Sequence, residues 1–323
     1  MTRHEQAPPA TMSGFILAAG FGTRLRPLTD HVPKALVTLG GYPLLRRALD
    51  FLASQGIGRI GVNSHCMAAE IERFGESADI PFELFHEQDR IRGTGGALHH
   101  ARSFLRENEA FALVNVDCVS RFDLAWMARR MAGADAVCGL VAVPVDGGGT
   151  VLYEPGSGRY RGTTSGAGER SRDGLRAAEY VGAAVYRADF LDLVREDDFS
   201  VVPVWDRAVD AGLKVVVLEA PSLYWIDVGT PRALARAHFD LIDGALSLSI
   251  PPWMLIDRTR RAAYHRELPS GVQARLGPCC WVENPRLSEG PPLSEVVVMR
   301  GAEVKEVARG CIYTPWEVLR CDA

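Results

Sequence analysis

The chain has 323 residues, of which 47% are hydrophobic and 24% are charged, as in ordinary globular proteins. Its formal net charge of -4 gives no reason to expect nucleic acid or an anionic membrane surface as a partner. No apolar run approaches the roughly 18 residues that a membrane-spanning helix needs. The seven scattered cysteines form no CxxC pair, which argues against a zinc knuckle or a disulfide framework and indicates reduced thiols in a cytoplasmic protein.

The first part of the chain predicts a leader followed by an α/β domain. Residues 1–12 are polar and proline-bearing, which indicates a disordered leader and no signal peptide. Short apolar runs then alternate with helical patterns, which predicts βαβ units over residues 13–244, with a Rossmann-like, mostly parallel sheet flanked by helices. The expected strands are residues 14–19, 59–63, 82–85, 110–116, 136–143, 180–186 and 214–220. The expected helices are residues 42–56, a segment after Met67, and residues 97–107, 123–133, 202–212 and 232–244.

The remaining segments interrupt or follow this pattern. Residues 156–174 are rich in Gly, Ser and Arg, which predicts a mobile loop. Residues 245–271 have the composition of a linker. In residues 272–323, apolar residues and glycines recur at short regular intervals, which predicts a short left-handed β-helix-like tail. A small β-hairpin packed on the main domain is the alternative.

The loop after the first strand, LAAGFGTRLRPLTDHVPKAL (residues 17–36), concentrates glycine and positive charge. Gly20 and Gly22 allow backbone N–H groups to approach a ligand, while Arg24 and Lys34 supply cations that grip phosphate oxygens. Lys34 is one of only three lysines among 36 basic residues. Neither GxGxxG nor GxxxxGK[ST] fits the loop. The pattern predicts a polyphosphate ligand, and the alternative is a solvated loop with surface arginines.

This loop resembles the signature G-x-G-T-R-L-x-P-L-T…P-K of the sugar-1-phosphate nucleotidylyltransferases. Ten positions match, namely Gly20, Gly22, Thr23, Arg24, Leu25, Pro27, Leu28, Thr29, Pro33 and Lys34. The resemblance implies Mg²⁺-dependent transfer of a nucleotidyl group from an NTP to a sugar 1-phosphate, with release of pyrophosphate. It also implies catalytic roles for Arg24, on the β- and γ-phosphates, and for Lys34, near the reacting phosphates. The residues implied to bind the nucleotide are Ala18, Ala19, Gly20, Gly22 and Thr23.

A second segment, EQDRIRGTGGAL (residues 87–98), is similar to the part of the family that reads the nucleobase. The resemblance implies that Gly93, Gly95 and Gly96 let the backbone lie against a flat base. Gln88 lies where members of the family that use pyrimidine nucleotides often have Gln and the guanylyltransferases often have Glu, although Glu87 is its neighbour. A short tail is more typical of the guanylyltransferases, so the base stays open. A glycine-rich helix start without a ligand is the alternative.

Two aspartates complete the resemblance on the metal side. Asp117 ends the run FALVNVD, and Asp227 lies in WIDVGTPRAL (residues 225–234). The resemblance implies that both carboxylates bind Mg²⁺, a cation that prefers oxygen ligands. Val116 stands where the family usually has glycine, and either aspartate alone would suit a helix cap or a turn.

The sugar side matches less closely. The family's E-K-P motif is absent, and Glu169-Arg170 lies at a similar spacing before Gly182. We expect Arg170 to take the place of the motif's lysine, with an exposed charged loop as the alternative. Gly149, Val181 and Gly182 resemble positions where the family's backbone meets the sugar ring.

Within the family, the pattern is closest to the N-acetylmuramate-1-phosphate uridylyltransferases and to the mannose- or heptose-1-phosphate guanylyltransferases. Two other functions stay open. Val116 and the missing E-K-P motif are compatible with a non-catalytic nucleotide-sugar sensor on the same fold. A nicotinamide-dependent oxidoreductase has little support, because GxGxxG is absent and the second strand ends without an acidic residue. The expected partners are an NTP and a sugar 1-phosphate, and the tail could form a homo-oligomer.

Overall fold

The computed structural model describes residues 12–145, 148–166, 173–220, 222–288, 290–306 and 309–321. Its strands are β1 (Met12–Leu17), β2 (Thr38–Leu39), β3 (Tyr42–Pro43), β4 (Ile60–Ser64), β5 (Glu83–His86), β6 (Ala110–Asn115), β7 (Cys118–Ser120), β8 (Cys138–Pro144), β9 (Val151–Tyr153), β10 (Tyr160–Thr163), β11 (Arg176–Arg187), β12 (Val215–Glu219), β13 (Trp225–Asp227), β14 (Met254–Asp257), β15 (Ala262–His265), β16 (Cys280–Val282), β17 (Val296–Val298), β18 (Cys311–Tyr313) and β19 (Val318–Arg320). Its helices are α1 (Leu28–His31), α2 (Leu44–Ser54), α3 (Ala68–Glu76), α4 (Gly93–His100), α5 (Arg102–Leu105), α6 (Leu124–Ala134), α7 (Val202–Asp210), α8 (Pro231–Asp243) and α9 (Ser270–Gln273). Of the expected leader, only Met12 lies within the described residues, and it begins β1.

The chain divides into two compact units, and both are discontinuous in sequence. The first contains the chain up to Gly20 together with Ala48–Trp225. The second contains Phe21–Arg47 and the chain from Ile226 onwards. The expected domain of residues 13–244 is therefore shared between two units. Within the described ranges, no helix combines the length and the apolar character that crossing a membrane requires.

The first unit is built on a mixed sheet with the strand order β10-β9-β11-β6-β1-β4-β5, and β8 joins it by pairing with β11 and β12. β1, β4, β5 and β6 run parallel, while β11 is antiparallel to β6. All five residues of β4 are buried, as expected for a strand of a parallel sheet that is covered on both faces. β10 pairs with β9, so part of the segment 156–174 that was expected to be a loop is a strand. The Rossmann-like fold class predicted from the alternating pattern is confirmed.

The register of this sheet brings several strand ends together. Leu17, the last residue of β1, pairs with Asn63 on one side and with Asn115 on the other. On the next strand along, Ser64 pairs with His86. The chain passes from β1 to β4 and β5 and then returns to β6 on the other side of β1. Such a reversal opens a crevice at the carboxyl ends of the strands, where α/β proteins bind their ligands.

The second unit contains the β2–β3 hairpin, α8 and a sheet in the order β14-β15-β16-β17-β18-β19. β15 to β18 are parallel, and Ala262, Cys280, Val296 and Cys311 occupy the same position on four consecutive strands. These positions are all buried, so each added strand extends one continuous apolar core. This stack of short parallel strands agrees with a β-helix-like tail and differs from the alternative of a hairpin.

The stack also begins earlier than the sequence suggested. β14 and β15 form an antiparallel pair within residues 245–271, which were expected to be a linker. The turn between them carries three arginines, and the side chain of Asp257 accepts hydrogen bonds from the backbone N–H groups of Thr259 and Arg260. The turn is polar, and the two strands have too few apolar residues to show an alternating pattern. The sequence therefore does not predict these strands.

Candidate active site

In the first unit, the segment after β1 passes from the core to the surface within three residues. Ala18 and Ala19 are buried, and both backbone N–H groups donate to Asn63 Oδ1, at 2.7 and 3.3 Å. Gly20 is exposed, and a Cβ added there would have no atom within 4 Å. Packing within the protein therefore does not require glycine at position 20. That finding agrees with a ligand approaching the backbone there.

Asn63 also connects this segment to the expected base-reading segment. Asn63 Nδ2 donates to Glu87 Oε1 at 2.8 Å, and Glu87 Oε2 accepts from the backbone N–H of Arg92 at 2.6 Å. Glu87 is fully buried, whereas its neighbour Gln88 is exposed. Sequence reasoning assigned no role to Asn63 or Glu87. The available signal was the polar pair Asn63-Ser64 at the end of an apolar run.

The glycines of residues 87–98 have a structural explanation within the chain. Gly93 has a φ of 67°, and a Cβ there would lie 2.0 Å from the carbonyl oxygen of Phe199. A Cβ on Gly95 would lie 2.5 Å from the carbonyl oxygen of Asp198. Close approach of residues 198–200 therefore accounts for glycine at both positions, without a nucleobase. That Gly93 and Gly95 contact the nucleotide stays a prediction.

Asp117 lies just beyond β6, where the strand ends gather. The backbone N–H of Val116 donates to the carbonyl oxygen of Leu17 at 3.2 Å, which ties this segment to the end of β1. The side chain of Val116 is buried, so it packs into the core where the family's glycine would leave space. Asp117 is itself buried, with 9% of its surface exposed.

The residues expected to bind the sugar are only partly described. Gly149 and Gly182 have φ values of 76° and 74°, a conformation that favours glycine. A Cβ on Gly182 would also lie 2.5 Å from Cys118 Sγ, so the strand carrying Val181 and Gly182 closely approaches the segment after Asp117. Val181 is buried. Glu169 and Arg170 lie outside the described residues.

In the second unit, the glycine loop folds onto itself. Gly22 has a φ of 65°, and its carbonyl oxygen accepts a hydrogen bond from Thr29 Oγ1 at 2.8 Å. A Cβ on Gly22 would lie 2.8 Å from Thr29 Cγ2 and 3.1 Å from Lys34 Cβ. Thr29, through this hydrogen bond, and Lys34 therefore lie beside Gly22, although they come 7 and 12 residues later in the chain. Thr23 to Leu25 form one turn of 3-10 helix. The signature residues thus pack on one another.

Arg24 and Asp227 form an ion pair within this unit. Arg24 Nη2 lies 3.1 Å from Asp227 Oδ2, and the side chains are 58% and 32% exposed. The other carboxylate oxygen, Oδ1, accepts the backbone N–H of Gly229 at 2.7 Å. A Cβ on Gly229 would lie 2.6 Å from Arg24 and 2.7 Å from Asp227, so glycine here gives the pair its space.

The surroundings of Asp227 keep it ionised. Burial raises the pKa of its carboxyl, but the Gly229 N–H and the charges of Arg24 and Lys34 outweigh that effect and hold the pKa below its usual value. Three residues predicted to be catalytic, Arg24, Lys34 and Asp227, are therefore brought together in the second unit.

A metal ion would have few protein ligands here. Among the described residues, no three His, Cys, Asp or Glu side chains form a cluster. Mg²⁺ is commonly held by one or two carboxylates together with substrate phosphates and water. The ionised Asp227 fits that chemistry, and so does the carboxyl group of Asp117.

Comparison with known proteins identifies the family. Residues 14–219 match the model of the MobA-like NTP transferase domain. The chain is 30% identical over 260 residues to an N-acetylmuramate alpha-1-phosphate uridylyltransferase of Caulobacter vibrioides, covering 74% of this chain and 99% of that protein. It is 33% identical over 229 residues to the mannose-1-phosphate guanyltransferase beta-B of Xenopus laevis, covering 68% of this chain and 62% of that protein.

The solved structures agree at the level of the fold. A Bacillus anthracis protein assigned as a glucose-1-phosphate thymidylyltransferase, crystallised with a sucrose, has a TM-score of 0.60 to this chain at 18% identity. The alignment covers 74% of this chain and 97% of that one. The predicted resemblance to sugar-1-phosphate nucleotidylyltransferases is confirmed, and the chain belongs to the MobA-like NTP transferase family and is a nucleotidyltransferase.

Proposed function

We propose that the protein transfers a nucleotidyl group from an NTP to a sugar 1-phosphate, giving a nucleotide sugar and pyrophosphate. The observation that supports this most is the position of Asp227 beside Arg24 and Lys34, two residues of the loop that carries the family signature. In the reaction, an oxygen of the sugar phosphate attacks the α-phosphorus in line. One P–O bond forms, the bond to the β-phosphate oxygen breaks, and pyrophosphate leaves with the electron pair.

The reaction needs no nucleophilic side chain, because the sugar phosphate is already an anion at neutral pH. Catalysis then depends on holding two anions that repel each other and on stabilising the charge of the leaving pyrophosphate. Arg24 is exposed enough to exchange its contact with Asp227 for a phosphate oxygen, with which a guanidinium can form two parallel hydrogen bonds. Lys34, held beside Gly22, supplies a compact second charge to the same loop.

Asp117 and Asp227 are each proposed as carboxylate ligands of Mg²⁺, on the chemistry of their own side chains. Bound Mg²⁺ would neutralise charge on the phosphates. When Arg24 moves to a phosphate, Asp227 loses its ion pair but keeps the hydrogen bond from Gly229. The carboxylate oxygen that faced Arg24 is then available to a cation.

The names of the relatives give different pairs of nucleotide and sugar, so the experiment has to determine both for this protein. We propose UTP, dTTP and GTP as the nucleotides to compare, each with N-acetylmuramic acid 1-phosphate, mannose 1-phosphate and glucose 1-phosphate. Gly149 and Gly182 are the backbone positions proposed to meet the sugar, and both have a positive φ that favours glycine.

The experiment is a pyrophosphate-release assay with Mg²⁺ across this panel, with the nucleotide sugar identified by mass spectrometry. We expect one pair to give stoichiometric amounts of pyrophosphate and nucleotide sugar, and omission of either substrate to abolish both. Tight binding of a nucleotide sugar without pyrophosphate release from any pair would contradict the proposal and support a sensor.

A further inference from the structure

A pair of buried side chains connects the two segments expected to bind the nucleotide. Asn63 is the last residue but one of β4, and Glu87 follows β5. Through Oδ1, Asn63 accepts both N–H groups of Ala18 and Ala19, and through Nδ2 it donates to Glu87. Glu87 then accepts the N–H of Arg92, directly before Gly93. The chain of bonds runs from the end of β1 to the start of α4.

Both side chains are buried, so each of their polar atoms has to meet a partner of the matching kind, donor to acceptor. Asn63 is 2% exposed and Glu87 is 0% exposed. Each of the four oxygen or nitrogen atoms has one defined partner, or two for Asn63 Oδ1. Water cannot replace a mismatched bond in such a place, and a buried polar group left without its hydrogen bond is destabilising. Burying a carboxyl group carries a desolvation penalty. A glutamate that is fully buried therefore points to a specific use of its two hydrogen bonds.

The bonds act where each segment reaches the surface. Ala18 and Ala19 are buried, and Gly20 is exposed beside open space. On the other side, Arg92 precedes Gly93, whose positive φ turns the chain into α4. His65 adds a further contact, since its Nδ1 lies 2.6 Å from the carbonyl oxygen of Glu87. The two turns are therefore held at fixed positions by the buried side chains of Asn63 and Glu87.

We propose that Asn63 and Glu87 are positioning residues for the NTP: through their mutual hydrogen bond they hold the Ala18–Gly20 segment and the Arg92–Gly93 turn at the separation that the nucleotide requires. The proposal rests on the proposed function. It also separates the neighbours Glu87 and Gln88. Glu87 acts through the backbone, and only Gln88 has a side chain exposed for contact with a ligand.

The polarity of the pair can be reversed without changing its shape or its net charge. Asn63→Asp places two carboxylates against each other at the present 2.8 Å contact. Glu87→Gln places an amide N–H₂ against either Asn63 or the N–H of Arg92. In the double variant, the new carboxylate at position 63 still accepts from Ala18 and Ala19. The new amide at position 87 donates to that carboxylate, and its oxygen accepts from the N–H of Arg92.

The experiment measures KM for the NTP, kcat and direct NTP binding by titration calorimetry for the wild type and these three variants. We expect each single variant to raise the KM and the dissociation constant of the NTP about tenfold, and kcat to change much less, because a distorted site loses ground-state binding. The KM for the sugar 1-phosphate should hardly move. The double variant should return both NTP constants to within about threefold of the wild type.

The control is Glu83→Gln, an exposed glutamate on β5, which should behave as the wild type. A double variant as impaired as the singles, or single variants with wild-type NTP binding, would overturn the proposal. If Asn63→Asp proves too unstable to assay, the comparison of Glu87→Gln with the double variant tests the proposal. Adding Asn63→Asp to Glu87→Gln should then lower the KM for the NTP. If no substrate pair yields pyrophosphate, the proposed function fails, while calorimetry with the NTP alone still tests the positioning.

Discussion

At the scale of single residues, the ion pair of Arg24 and Asp227 shows how one site can satisfy opposite requirements. A free arginine on this loop would attract any anion, and a free carboxylate would repel the phosphates. Paired at 3.1 Å, the two charges neutralise each other. Under the proposed function, a phosphate would replace Asp227 as the partner of Arg24, and a cation would replace Arg24 as the partner of Asp227. Because the pKa of Asp227 lies below its ordinary value, the carboxylate stays ionised over the whole neutral range.

Asp227→Asn tests the proposed metal role of this carboxylate. The amide keeps the size of the side chain but removes the charge that would hold Mg²⁺. We expect kcat to fall on the order of a hundredfold or more, the typical loss when one electrostatic contact to the reacting phosphates is removed. The midpoint of thermal unfolding should change little, because the ion pair is part exposed and such pairs contribute little to stability.

The matched control is Asp243→Asn, which removes another aspartate of the second unit from an exposed ion pair with Arg261. This variant should keep wild-type turnover. Near-normal product formation by Asp227→Asn, measured at saturating Mg²⁺ and saturating substrates, would refute the metal assignment of Asp227.

Gly229→Ala tests whether the geometry of the pair matters as well as its charge. The added methyl group would lie 2.6 Å from Arg24 and 2.7 Å from Asp227, so the two side chains must separate or shift. We expect the KM for the NTP to rise about tenfold or more, since a misplaced arginine loses its fork-like grip on phosphate. Gly58→Ala, where a Cβ meets no atom within 4 Å, should leave the KM unchanged. An unaltered KM in Gly229→Ala would show that Arg24 does not need this geometry.

At the scale of secondary-structure elements, α4 illustrates a conflict between propensity and packing. Alanine normally stabilises a helix relative to glycine by about 0.5–1 kcal/mol. In Gly95→Ala, however, the new Cβ would lie 2.5 Å from the carbonyl oxygen of Asp198, a backbone atom that cannot rotate away. We expect this variant to lose about 1–3 kcal/mol of unfolding free energy.

The comparison variant is Gly133→Ala in α6, where a Cβ has open space around it, so that propensity alone should act and raise stability. Urea denaturation of both variants measures the difference. Equal stabilisation by the two substitutions would mean that residues 198–200 do not press against α4 as described.

The elements themselves were largely predictable, and their side-chain contacts were not. Apolar runs and helical periods locate β1, β4, β6 and α8, because burial on both faces of a sheet leaves a plain pattern in the sequence. The glycines of residues 87–98 were identified, but the close approach of residues 198–200 that explains two of them is invisible without the fold. The bonds of Asn63 and Glu87 were missed for the same reason. They depend on strand order and register, which bring residues 24 positions apart into contact.

At the scale of the whole molecule, the second unit has to join segments from distant parts of the chain, and one buried histidine contributes to this. His238 on α8 accepts the backbone N–H of Gly40 at Nε2, at 3.2 Å, and donates from Nδ1 to the carbonyl oxygen of Leu234 at 2.8 Å. Its ring lies 5.1 Å from that of Trp281 in β16. The loop after β2, the helix and the tail therefore meet at one imidazole, and these bonds require its neutral form.

This arrangement makes the stability of the protein depend on pH in a defined direction. Burial, helped by the charge of Arg47, lowers the pKa of His238 from 6.5 to about 4, although the bond to Leu234 acts in the opposite sense. The unfolded chain takes up this proton below pH 6.5, and the folded chain does so only near pH 4. The contribution of neutral His238 is thus complete above pH 6.5 and is lost as the pH falls through that window.

We therefore expect the unfolding free energy to fall by roughly 1.4 kcal/mol per pH unit from this residue alone between about pH 6 and pH 4.5. In His238→Gln, whose side-chain oxygen still accepts from Gly40, this part of the decline should vanish, even though the variant is less stable at neutral pH. His86→Gln, at an exposed position, should keep the wild-type decline. Urea denaturation at about pH 7, 6, 5 and 4.5 gives the slope of unfolding free energy against pH for each of the three proteins.

Burial raises the pKa of Glu283 in the same unit, so this carboxyl changes the unfolding free energy with pH in the opposite direction. Glu283 is present in all three proteins, so its effect cancels in the comparison. Equal slopes for the wild type and His238→Gln would show that the imidazole protonates as readily in the folded chain as in the unfolded chain.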